Sequence, residues 1–196
     1  CSDRLPIDVA ENTAAQTMLD TDCTHLFLTE NDMILPDDTL MQLLAVDQPV
    51  VSGLYFLRNG DGVPCLYRRV QPGSSPWSQS PVTAFPTERP FRIDGCVGVG
   101  CLLVQRQVFE RLTPPWFVLV AGKHGSDIYF SGRCREAGIP IWVEPRVRCG
   151  QIEYKVHEFA DYEARVAREP GYLASGVVLG EADPASQFFG EVPHAG

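Results

Sequence analysis

Leu26-Phe27-Leu28-Thr29-Glu30-Asn31-Asp32-Met33-Ile34-Leu35-Pro36 decides how this chain is read. Apolar, β-forming residues end abruptly in two acids, Glu30 and Asp32. A second apolar stretch with a proline then opens a helix. The pattern is that of a buried strand feeding a helix, and in open α/β sheets ligands bind beyond the carboxyl ends of the strands. Two carboxylates one residue apart can offer oxygens to a divalent cation, which in turn holds a diphosphate. The competing reading is a solvated turn in which neither acid has a task.

The flanking sequence extends this rhythm. Asp8 and Glu11 have capping-box spacing and predict a helix to Leu19. Thr24 to Thr29 predicts a strand. Pro36 to Val46 predicts a helix with Leu40, Leu43 and Leu44 on one face, and Pro49 to Phe56 a second buried strand. Helix, strand, helix, strand is the order of a parallel sheet. The expected fold is therefore α/β, with a mostly parallel, Rossmann-related sheet flanked by helices, in a single domain over residues 1–170.

Leu57 to Pro90 is rich in Gly, Pro, Ser and Asn around one strand-like piece, Cys65 to Val70, and reads as a mobile flap. Phe91 to Val104 is strand-like but interrupted by Gly95, Gly98 and Gly100, which mark either bulges or close approach of a ligand to the backbone. A short helix, Gln105 to Leu112, ends at the Pro114-Pro115-Trp116-Phe117 corner. Ser126 is placed to cap a helix through Ala137, with Gly138 as its stop. Strands at Ile139 to Val143 and Arg146 to Gly150 and a helix from His157 to Arg168 follow. Residues 171–196 read as a loosely held tail.

Bulk properties narrow the function. With 196 residues and 44% apolar content, the chain can build one real core. The net charge is −9 and the longest basic run is Arg68-Arg69, which argues against a nucleic-acid surface. No apolar segment approaches the roughly 20 residues of a membrane span. Seven cysteines without a CxxC pair, mostly in apolar segments, read as reduced, buried thiols of a cytoplasmic protein.

Few residues are left to carry chemistry. Asp127, at the start of a helix, either complements the helix dipole or acts as a general base toward a hydroxyl. Trp142 lies in an apolar strand and reads as core. Trp116, in a proline-flanked loop, is a candidate for stacking on a sugar, as is Tyr129. His124, Lys155 and His157 are candidates to meet a diphosphate or complete a metal shell.

In order and spacing, Asp8–Asn12, His25–Pro36, Pro49–Phe56, Asp94–Val104, Ser126–Phe130 and Ala137–Val143 resemble the GT-A glycosyltransferases, in particular the bacterial and phage enzymes similar to glycosyltransferase family 2. The resemblance spans roughly residues 5 to 153. It implies a GT-A-like sheet and a nucleotide-sugar-dependent, inverting transferase of the hexosyl type. A UDP- or GDP-sugar would be the donor, and a glycan or other hydroxyl compound the acceptor. Glu30-Asn31-Asp32 falls on the family's DxD motif, so Glu30 and Asp32, with His157, would hold Mn²⁺ or Mg²⁺. Asn12, Glu30, Asn31, Asp32, Asp94, Gly95 and Gly98 would line the donor site. Ser126-Asp127 falls on the ED motif, with Asp127 as the catalytic base and Ser126 and Trp116 toward the acceptor.

The departures are Glu30 for the first aspartate, Ser126 for the glutamate, and Gln151 where relatives often carry a histidine. The strand and base-binding loop that precede the first helix in the family have no counterpart before Asp8. These departures favour a second reading, a relative that binds a sugar nucleotide or glycan without turnover. A nucleotidyltransferase ranks last, because no glycine-rich basic loop opens the chain.

Overall fold

Val50-Val51-Ser52-Gly53-Leu54 is buried at every position, and its alternating side chains feed two different cores. Val50 and Leu54 join Leu102, Val104, Ile141 and Val143 on one face of the sheet. Val51 joins Leu43, Cys101, Leu103 and Val147 on the other. A strand with period-2 side chains and no solvent face has to be central. The remaining elements are arranged around it.

The computed structural model describes residues 5–58, 62–69, 79–121, 124–153, 156–169, 171–175 and 177–178. Helix α1 (Ile7–Leu19) leads to β1 (His25–Thr29), β2 (Met33–Ile34), α2 (Thr39–Ala45) and the central β3 (Val50–Leu54). Next come β4 (Leu66–Arg69), β5 (Gln79–Ala84), β6 (Phe91–Ile93), β7 (Gly95–Val97), β8 (Cys101–Gln105) and α3 (Arg106–Arg111). The chain continues through α4 (Ser126–Glu136), β9 (Ile141–Arg148), β10 (Gly150–Ile152), β11 (Val156–His157), α5 (Phe159–Arg168), α6 (Tyr172–Ser175) and β12 (Val177–Val178).

The strands form a five-stranded sheet, β1-β8-β3-β9-β6, a three-stranded sheet, β11-β10-β2, and a four-stranded sheet, β12-β5-β4-β7. This overturns the expected GT-A-like, mostly parallel sheet. In the five-stranded sheet β3–β9 is the one parallel pair, while β1–β8, β3–β8 and β6–β9 run antiparallel. In the four-stranded sheet β12 adds a short parallel pairing to β5. The physical reason is β8, whose apolar residues Cys101 to Val104 are fully buried. It inserts between β1 and β3, so that Leu103 faces Phe27 on one side and Val51 on the other. The strand–helix–strand rhythm from β1 to β3 is present, but the two strands share a direction without pairing.

The expected flap over 57–90 is instead a second structural layer where it is described. Tyr67 of β4 pairs with Pro81 of β5 on one side and with Cys96 of β7 on the other. Residues 59–61 and 70–78 of that expectation lie outside the described residues. The start of the expected tail is also docked. Tyr172 is buried, and the Thr83 hydroxyl donates to the Leu173 carbonyl (3.1 Å). The rest of the tail, 179–196, lies outside the described residues. No described helix is long and apolar enough to cross a membrane.

Candidate functional site

The carboxyl end of β1 delivers Glu30, Asn31 and Asp32 into a tight turn, in which the Met33 amide donates to the Glu30 carbonyl (3.3 Å). The turn is pinned from the far side by β10, where the Ile152 amide donates to the Asp32 carbonyl (2.8 Å) and Gln151 pairs with Met33. Asn31 is exposed, while the Glu30 and Asp32 side chains are 28% and 18% exposed. Burial, reinforced by Asp32, raises the Glu30 pKa, and Arg58 opposes that rise.

Arg58 is a residue that sequence reasoning missed. Its Nη2 lies 2.7 Å from Asp32 Oδ2 and 3.9 Å from Glu30 Oε2. The buried Gln151 amide completes the arrangement in the orientation that satisfies both of its ends. It donates to the Phe56 carbonyl (2.9 Å) and accepts from Arg58 Nε (3.1 Å). Gln151 therefore holds the guanidinium against the two acids. Among the described residues, no group of three or more His, Cys, Asp or Glu side chains is arranged to hold a metal ion. His157 stands opposite Gln151 in the β10–β11 ladder, but its side chain lies outside the described residues, as does Lys155. The Arg58 guanidinium stands at ion-pair distance from Asp32, where a cation would sit, while the two Asp32 oxygens have no partner in hydrogen-bond geometry among the described residues.

Asp127 enters from α4. Gly125, not the expected Ser126, is the N-cap, and Asp127 Oδ1 accepts the Ile128 amide (2.8 Å). The carboxylate folds back over Gly125, where a Cβ would come within 2.3 Å of Oδ1. Burial raises the Asp127 pKa, against the lowering effects of the backbone amides and His124. His124 is buried and stacks on Tyr129 with ring centroids 6.1 Å apart.

Glu11 was read as half of a capping box, which the structure corrects. Pro6 is the N-cap, and Asp8 instead accepts from the Val9 and Leu119 amides (3.0 and 3.2 Å). Glu11 turns inward on the buried stripe of Ala15 and Met18 and is only 6% exposed. Neither of its oxygens has a partner in hydrogen-bond geometry. Burial pushes its pKa up to about 7; the Ser126 hydroxyl opposes the rise, and the charges of Asp127, Glu30 and Asp8 add to it. An acid on the apolar stripe of α1 was the signal in the sequence. A carboxyl whose pKa rises on folding contributes stability below its unfolded value that is lost as pH climbs through the folded value. Glu11→Gln is therefore expected to leave stability near pH 4 unchanged and to raise it by about 2 kcal/mol at pH 8. Urea denaturation at the two pH values measures this, and equal effects at both would contradict it.

The other expected site residues are placed differently. Trp116 is 4% exposed, and its indole N–H donates to the Phe109 and Leu112 carbonyls (3.1 and 2.9 Å), so it presents no face to a sugar. Asn12 is a structural clamp and is not turned toward a donor. Its Nδ2 donates to the Asp8 and Phe117 carbonyls (both 2.7 Å), and its Oδ1 accepts from the Trp116 and Phe117 amides (2.9 and 3.2 Å). Asn12→Ala strands those backbone groups and is expected to cost about 2 kcal/mol, read from the urea midpoint.

Asp94 is exposed. Gly95 and Gly98 admit protein rather than ligand. A Cβ on Gly95 would lie 1.7 Å from the Tyr67 carbonyl oxygen, and one on Gly98 would lie 1.8 Å from the Tyr55 hydroxyl. The Gly100 amide donates to that hydroxyl (3.1 Å). Trp142 is partly buried against the core that contains Val51, close to its expected place.

The structure thus brings Glu11, Glu30, Asp32 and Asp127 into one electrostatic neighbourhood, with Arg58 against Glu30 and Asp32, and gives Trp116 and Asn12 packing and backbone contacts. No family model matches the chain, and no curated protein matches it at the threshold for significance. The fold is similar to that in the crystal structure of A197 from STIV, with a TM-score of 0.55 at 17% identity. That match covers 76% of this chain and 69% of the other. At that identity the likeness is one of fold alone.

Proposed function

We propose that the chain transfers a glycosyl group from a nucleoside-diphosphate sugar to a hydroxyl acceptor, with Asp127 as the base. The observation that carries this reading is the convergence of Glu11, Glu30, Asp32 and Asp127 beyond the carboxyl end of β1, with Glu11 buried and its oxygens unpartnered. Burial together with neighbouring acids raises the pKa of both Glu11 and Glu30, and perturbed carboxyls in one place mark functional sites.

In this reading Asp127 Oδ2 takes the acceptor's hydroxyl proton as the oxygen attacks the anomeric carbon. The new O–C bond forms while the bond to the diphosphate oxygen breaks, and the leaving nucleoside diphosphate takes the electron pair. Burial makes the Asp127 carboxylate more basic, which suits proton removal near neutral pH. The anchored Ile128 amide keeps the carboxylate aimed. The six described cysteines are free, which supports placing the reaction in a reducing compartment such as the cytoplasm.

A second reading, binding without turnover, is favoured by the Ile128 amide already occupying Asp127 Oδ1. Incubation with a panel of UDP- and GDP-hexoses, following nucleotide release with and without simple glycan acceptors, separates the two. Acceptor-stimulated release supports transfer, binding without release supports the second reading, and neither binding nor release sinks both.

A further inference from the structure

Arg58 has no role in the transferase reading as the sequence suggested it, yet three groups hold its guanidinium in place. Asp32 lies 2.7 Å from Nη2, Glu30 lies 3.9 Å from the same nitrogen, and Gln151 takes the Nε hydrogen at 3.1 Å. The backbone beneath it is also fixed. Phe56 bridges to Pro64, the Leu57 amide donates to the Val63 carbonyl (2.8 Å), and the Gln151 amide holds the Phe56 carbonyl. A surface arginine of ordinary purpose would lose several rotamers for an ion pair worth little. Here the acids are largely buried while the arginine side chain is 52% exposed, so the carboxylates sit behind the guanidinium and one side of it opens to solvent.

This is the arrangement a divalent cation has on a carboxylate pair, with acids behind and an open coordination side in front. A guanidinium has five N–H donors in a planar fork and binds phosphate in two-point fashion. Nε donates to Gln151 and Nη2 stands in ion-pair contact with Asp32, while among the described residues no group takes the Nη1 hydrogens, which face an incoming anion. Gln151 is a poor metal ligand but a good acceptor for an arginine N–H, so its presence fits a guanidinium better than a metal.

We propose that Arg58, held by Asp32, Glu30 and Gln151, takes the place of a divalent cation and binds the diphosphate of the nucleotide directly, so that the site works without metal. The inference rests on the transferase reading and deepens it. During transfer the guanidinium would offset charge growing on the leaving diphosphate, with no metal in the cycle.

The test is calorimetric titration of the full chain with UDP, GDP, CDP and dTDP, each in EDTA and in Mn²⁺. The expected result is that one nucleotide binds with the same affinity in both buffers. Arg58→Met is expected to weaken that binding roughly 10- to 100-fold, the worth of charge-assisted hydrogen bonds to phosphate. Arg58→Lys keeps the charge without the fork and is expected to fall between the two. It also serves as the probe if the methionine variant fails to fold. Binding that appears only with Mn²⁺, or that survives both substitutions in EDTA, overturns the inference and leaves the transferase reading standing. No nucleotide binding in either buffer overturns both.

Discussion

Asp127→Asn is expected to lower transfer by roughly 10²- to 10⁴-fold, the usual worth of a positioned general base. Nucleotide binding should be largely unchanged. The substitution is well suited to the purpose because its structural cost is small. Asparagine keeps an oxygen at the Oδ1 position, so the bond from the Ile128 amide at the start of α4 survives. Gly125 still leaves room for the side chain to fold back. What is lost is the second oxygen and its negative charge. Single-turnover measurement with a donor that binds both forms equally reads the chemical step alone. A variant that turns over within a few-fold of the parent would remove Asp127 from the base role. Glu11, buried and unpartnered beside it, would then be the next carboxyl to replace.

The second large effect is expected at Gly95, and it falls on the fold. The resemblance to glycosyltransferases assigns this residue to the donor site. In the structure a methyl group there would meet the Tyr67 carbonyl oxygen at 1.7 Å and the Arg68 Cα at 3.0 Å. Both belong to the backbone of β4, which cannot rotate aside as a side chain can. Relief requires β4 and β7 to separate at the Arg68–Gly95 pairing, which also strains the adjoining pairing of β4 with β5. Gly95→Ala is therefore expected to cost about 3 kcal/mol or more, at the upper end for overpacked sites. The measurement is the urea midpoint. A variant as stable as the parent but deficient in nucleotide binding would restore Gly95 to the donor site.

These two residues show where the sequence was legible. The place of Asp127 in the first turn of α4 was legible because its signal is local, an acid at the start of a helix that stops before Gly138. The β1 strand and its terminal acids were equally local, an apolar run ending in charge. Gly95 is ambiguous in the sequence because close approach to a ligand and close approach to another strand look the same along the chain, and the structure places the β4 backbone against it.

The sheet itself was misread for a related reason. Nothing near Leu26 or Val51 announces that Leu103 will come between them, since an antiparallel partner can arrive from anywhere downstream. The prolines flanking Trp116 point to an aromatic in a surface loop. The Asn12 amide, far off in sequence, pins its backbone inward. Glu11 and Arg58 were missed for opposite reasons. Glu11 had a sufficient local explanation as a cap, and Arg58 had no local pattern around it at all.

The path of the chain through the central sheet also bears on how it is made. The partners of β3 are β8 on one side and β9 on the other, and residues 55–140 lie between β3 and β9. During synthesis this strand, buried at every position in the finished fold, emerges early and has nothing to pair with until β8 appears. It lacks its second neighbour until the ribosome has passed Ile141. Closing loops of that length before any contact rewards them is slow, and an unpaired apolar strand is what aggregation recruits. A nascent chain of this design is a natural client for holding chaperones, and its yield in a heterologous host should depend more on their supply than on the stability of the finished fold.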